Sequence, residues 1–90
     1  MRKSDERRKE RRLPVDGPVE LLVSEPRTER VEGRLVDCSR GGFRACHNFA
    51  GLRGGQRVRF RHAHAEGTAL VAWNRLADGI VESGFFIVEA

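Results

Sequence analysis

Asp37, Ser39, Gly41 and Gly42 stand together in the stretch Val36-Asp37-Cys38-Ser39-Arg40-Gly41-Gly42-Phe43-Arg44. Asp37 and Ser39 are two apart, so on an extended chain their side chains point to one side. An ionised carboxylate only accepts hydrogen bonds, whereas a hydroxyl both donates and accepts. Adjacent glycines allow positive φ and remove the Cβ atoms that would hold a ligand off the backbone. Apolar runs at 31–36 and 43–46 flank the stretch, which reads as a sharp turn between two strands. In most turns, however, Asp and Ser simply bond their own backbone. These residues alone do not identify a ligand.

A second chemical signal opens the chain. Residues 1 to 12 hold seven Lys or Arg against three carboxylates, while the rest of the chain balances ten arginines with ten acids. The whole formal charge of +4 therefore comes from this arm. A basic arm on a neutral domain suggests a phosphate-bearing partner, although many such tails are only solvated. Arg8 and Arg12 are four apart, as are Arg7 and Arg11, so each pair shares a face in a helix and a side in a strand. Ser4-Asp5-Glu6 could cap a short helix that Pro14 would end. Its shortage of apolar residues argues against a membrane-bound amphipathic helix.

The elements that would position these groups are strands. Ninety residues suit one domain with a modest core. Strands are expected at 18–24, 30–36, 43–46, 57–62, 68–74 and 80–88, with a closing hairpin around Ala77-Asp78-Gly79. Val58, Phe60 and His62 alternate with Arg57, Arg59 and Arg61, as on a half-buried antiparallel strand. Phe49 and Leu52, in the loop between 47 and 56, should fold back as a lid on the core. The expected fold is all-β: a small six- to seven-stranded antiparallel barrel (14–90) behind a flexible basic N-terminal arm (1–13).

Other chemistry is sparse. No apolar run approaches the ~20 residues needed to span a bilayer, and the N-terminus lacks the apolar segment of a secretory signal. A cytoplasmic protein is expected, with Cys38 and Cys46 reduced. His62, His64 and the Cys46-His47 pair lack the tight ligand spacing of structural zinc sites. No catalytic motif has its usual local context, so neither an enzyme nor a cofactor is expected.

The segment Arg7-Arg8-Lys9-Glu10-Arg11-Arg12-Leu13-Pro14-Val15 resembles the R-x-x-x-R entry of PilZ domains. Asp37-Cys38-Ser39-Arg40-Gly41-Gly42 resembles that family's second motif, D/N-x-S-x-x-G, and follows two strands as it does there. Gly84-Phe85-Phe86-Ile87 stands where the family's last strand usually begins with glycine. The resemblance implies binding of the bacterial second messenger cyclic di-GMP by Arg8 and Arg12, with Arg7 as the extra preceding arginine and Arg11 as the alternative in a shifted register. It further implies Asp37, Ser39, Gly41 and Gly42 at the ligand. Arg7 points toward two stacked ligands per chain. With no attached output domain, a stand-alone adaptor relaying the signal to an unidentified effector is expected. The alternative is a small barrel that binds single-stranded nucleic acid through its arm. Against it, the exposed strands show no regular aromatic platform, so a nucleic-acid partner is not expected.

Overall fold

In the computed structural model, which describes residues 12–25 and 27–90, every regular element is a strand. They are β1 (Leu13–Pro14), β2 (Pro18–Val23), β3 (Glu29–Ser39), β4 (Gly42–His47), β5 (Arg57–His62), β6 (Ala65–Ala77) and β7 (Ile80–Glu89). All pairings are antiparallel, and β3-β2-β5-β6-β7-β4 closes on itself through a β3–β4 pairing. Six strands form the barrel, and β1 adds to β3 where β2 ends. Closure leaves the barrel strands without open hydrogen-bonding edges, which resolves the edge problem of a small sheet.

Period-two sequence explains most of the core. Val19, Leu21 and Val23 of β2 and Val58 and Phe60 of β5 point inward and are nearly inaccessible. Phe43 stacks on Phe85 at 4.6 Å between ring centroids and meets Phe60 at 4.9 Å, filling the barrel's middle. Leu52 is buried in the same cluster and Phe49 packs against it, so the loop after β4 does close over the core. The β6–β7 hairpin turns at Asp78-Gly79, both at positive φ, with Ala77 opposite Ile80. This is the turn conformation that Asp-Gly favours.

The strand limits differ from expectation in one consequential way. β3 runs on to Ser39, so Asp37 and Ser39 lie in a strand and the turn is only Arg40-Gly41. Cross-strand pairing with β4 holds residues that their polar character had marked as a turn.

Candidate functional site

A β-bulge decides where Asp37 faces. Val31 and Leu35 enter the core, and strict alternation would carry Asp37 inward after them. The β3–β4 register instead shifts between Leu35 and Asp37, with Val36 as the extra residue. Cys38 then packs against the core, and Asp37 and Ser39 turn to the outer surface.

Arg44 stands directly opposite Asp37 on β4. Its Nε donates to the two carboxylate oxygens at 3.1 and 3.0 Å, and Nη2 donates to Oδ2. Arg44 Nη1 also lies 3.7 Å from Glu82 Oε2 on β7, and Glu82 accepts from Arg75 on β6. The hydrogen bonds to Asp37 raise the Arg44 pKa further, ahead of the opposing effect of burial. The Asp37 side chain is only 8% exposed beneath these guanidiniums. Three donated hydrogen bonds fix the orientation of its carboxylate.

The entry segment brings in a third cation. Leu13 pairs with Cys38 across β1 and β3, which sets Arg12 beside Ser39. Arg12 Nη1 donates to Ser39 Oγ at 3.4 Å and lies 3.8 Å from Asp37 Oδ1. The last arginine of the entry motif thus meets the acid and the hydroxyl of the second motif. A family model for the PilZ domain matches residues 6–73, a span containing both motifs. The chain belongs to the PilZ domain family. Its fold is similar to the PilZ domain of YcgR from Escherichia coli, solved with c-di-GMP. That likeness has a TM-score of 0.69 at 17% identity and covers 91% of this chain and 78% of that one. No curated protein sequence matches the chain.

In this PilZ domain, neither Gly41 nor Gly42 takes up a left-handed backbone, and Gly42 serves packing. Positive φ occurs at Gly55, Gly67, Asp78 and Gly79, not at either of this pair. A Cβ on Gly42 would lie 2.2 Å from the Phe85 carbonyl oxygen, so β7 approaches too closely for a side chain. Gly41 O accepts from Ile87 N at 2.8 Å, tying the same hairpin to β7. Arg7, Arg8 and Arg11, and the conformation of the arm, lie outside the described residues.

Sequence reasoning missed two members of this surface. Arg44 read as an ordinary strand residue, although its position opposite an acid across a short hairpin was a usable signal. Trp73 follows Ala69 and Val71 at spacing two, which reads as core. A second register shift, between Val71 and Trp73, turns it outward. Its ring lies over Gly84, where a Cβ would be 2.4 Å from ring atoms, yet the residue stays 40% exposed. Arg44 and Trp73 flank Gly84 on neighbouring strands. A flat aromatic surface therefore adjoins the Asp37–Arg44 pair.

Behind this face runs a buried polar chain. Phe49 N donates to His47 Nδ1 at 3.0 Å, which leaves the proton of a neutral imidazole on Nε2. Nε2 is 2.8 Å from Ser83 Oγ, whose hydroxyl donates to Asn74 Oδ1, and Asn74 Nδ2 donates to Leu52 O at 3.1 Å. Ser83 is inaccessible to solvent. Despite a serine–histidine contact, the hydroxyl cannot meet a substrate. Among the described residues no three or more His, Cys, Asp or Glu gather as metal ligands. No helix among them is long and apolar enough to cross a membrane.

Proposed function

We propose that this domain is a receptor for cyclic di-GMP that relays the messenger's presence to a partner protein. The convergence of Arg12 with Asp37 and Ser39, within 3.4 to 3.8 Å, carries this conclusion. Those residues come from separate motifs, and together they set a cation, an anion and a hydroxyl on one small surface. The ligand has two phosphate charges and two guanines. Arginine forks suit phosphate oxygens and guanine O6/N7, and Arg12 supplies one such fork, with Arg7 and Arg8 as further candidates. Asp37 accepts from guanine N1–H and N2–H while Arg44 keeps its carboxylate aligned. Trp73 offers a base a stacking surface beside it. Gly42 acts by letting the hairpin sit tightly on β7 under the ligand, with Gly41 beside it in the turn.

The relay works through the arm. Fixing ~10 backbone residues costs on the order of 10 kcal/mol, and residues 1 to 12 have almost no apolar side chains to offset it. Ligand phosphates held at the Asp37 surface give Arg7, Arg8 and Arg12 charge-assisted partners at a fixed place. Arm, ligand and barrel then make a surface that a partner can read. Isothermal calorimetry with cyclic di-GMP, beside GTP and a short oligonucleotide, tests the receptor role. Saturable binding of the cyclic dinucleotide alone is expected, and oligonucleotide binding without it would overturn the assignment. Hydrogen exchange on residues 2 to 12, ahead of β1, tests the relay, which predicts new protection only with ligand.

A further inference from the structure

A second charged surface lies at the start of β5. Arg53, Arg57 and Arg59, with Ser24, Glu25 and Gln56, line an open groove of about 660 Å³. Neither Arg12, Asp37, Ser39, Arg44 nor Trp73 borders it. The three arginines are exposed and have no ion-pair partner among the described residues. Arg61, next on the same stripe, differs: its guanidinium bonds Glu20 at 3.1 Å. Arg57 faces Leu70 across the sheet, and Arg59 faces Leu22 and Thr68. Neither forms an ion pair with an acid of the neighbouring strands among the described residues, although Glu20 and Glu66 border the next hollow along β5 together with Arg59. Glu25 alone opposes the three within the groove.

The groove wall is stiff. Gln56 Nε2 donates to Glu25 O at 3.1 Å, and Gln56 Oε1 accepts from Arg53 N at 3.0 Å. Gly55 N donates to Val71 O at 2.7 Å, and Val71 N returns a bond to Gln56 O at 2.9 Å. The turn is thus fastened to β2 and β6 before anything binds, which lowers the ordering cost of association. The same bonds occupy Arg53 N and Gly55 N, so these amides do not form a backbone anion nest. The available donors are guanidiniums.

We propose that this groove docks an extended acidic segment of a partner protein. Arg57 and Arg59 lie ~7 Å apart along β5, the repeat of alternate side chains on an extended peptide. The arginine stems give apolar cover to glutamate methylenes. A nucleic acid would bring similar charge spacing, but no aromatic side chain lines the groove to stack its bases. Cyclic di-GMP is not required for this contact, because the groove shares no residue with the Asp37 surface.

The test uses the whole chain without cyclic di-GMP, at low salt, and a fluorescein-labelled peptide of alternating glutamate and threonine. Saturable anisotropy binding is expected, several-fold tighter than for a peptide of the same composition with its glutamates in one block. Arg59→Glu should weaken it by about tenfold or more, whereas Arg40→Glu, the same charge change on the hairpin turn, should leave it nearly unaltered. If Arg59→Glu melts early, Arg57→Gln and Arg59→Gln replace it and should each weaken binding several-fold. Absence of binding, equal loss in the Arg59 and Arg40 variants, or equal affinity for both peptides would overturn the proposal. Displacement of the peptide by oligo-dT with the same arginine dependence would overturn it in favour of nucleic acid.

Discussion

Arg44 and Asp37 face each other across β4 and β3, with Nε 3.1 and 3.0 Å from the two carboxylate oxygens. The arginine is more exposed than the acid it covers, 36% against 8% by side chain. Removing Arg44 therefore leaves a shielded carboxylate with Arg12 as its remaining cation among the described residues. Arg44→Ala should destabilise the fold by roughly 2 kcal/mol, more than Asp37→Ala, because an unpaired buried charge costs more than an exposed one. Chemical denaturation of both variants checks the order. For cyclic di-GMP, Asp37→Ala should weaken binding more than Asp37→Asn, which keeps one acceptor.

The arm arginines should behave in the opposite way. Arg8→Ala and Arg12→Ala should each reduce affinity by roughly 2 kcal/mol, near thirtyfold, as charge-assisted contacts are lost. Their melting temperatures should stay close to wild type, since an exposed charge such as that of Arg12 contributes little to stability. Arg12→Lys should also bind poorly, because lysine cannot reproduce the planar fork. Two ligands per chain are expected by calorimetry, with Arg7→Ala moving the ratio toward one. A ratio of one in both proteins would remove that role for Arg7.

Gly42→Ala should unfold the domain more than any substitution in residues 1 to 12. The added Cβ would meet the Phe85 carbonyl at 2.2 Å, and backbone cannot yield as a side-chain tip can. A cost of roughly 2–3 kcal/mol is expected from such overpacking. A melting temperature unchanged from wild type would show that β4 and β7 can separate freely.

The strands and the barrel were legible because alternation and turn residues report them directly. Val58, Phe60 and the Asp78-Gly79 turn are read correctly from period and composition. What escaped was side-chain direction after a bulge. Asp37 and Trp73 each follow an extra residue that inverts alternation, and nothing in Leu35-Val36-Asp37 or Val71-Ala72-Trp73 announces the inversion. The positive φ that adjacent glycines allow is absent at Gly41 and Gly42, and the steric need at Gly42 comes from β7. Close approach of another strand depends on tertiary pairing, which no local pattern encodes.

Trp73 should act as the reporter of this surface. It is the only tryptophan, it is 40% exposed, and it covers Gly84 next to Arg44. Cyclic di-GMP should change its emission saturably, with the same midpoint as calorimetry. Trp73→Ala should weaken binding by about 1–2 kcal/mol through lost stacking. A titration with no spectral change would place the base elsewhere.

His47 should make stability depend on pH just below neutrality. Burial holds its pKa below the ordinary histidine value of 6.5, and burial with the nearby His64 does the same to His62. The hydrogen bonds agree: His47 Nδ1 accepts from Phe49 N, so a second ring proton would oppose that amide. In the unfolded chain both histidines protonate near their ordinary value, so the unfolded state binds more protons as pH falls through that region. Their contribution to stability is complete above about pH 7 and is lost as pH drops from there toward the depressed folded values. Below those values it falls no further. Urea midpoints measured between pH 7.5 and 5.0 should therefore decline, and His47→Gln, less stable at pH 7.5, should show a shallower decline. Parallel slopes for the two proteins would mean that the His47–Ser83–Asn74 chain tolerates the extra proton and that the pH dependence originates elsewhere.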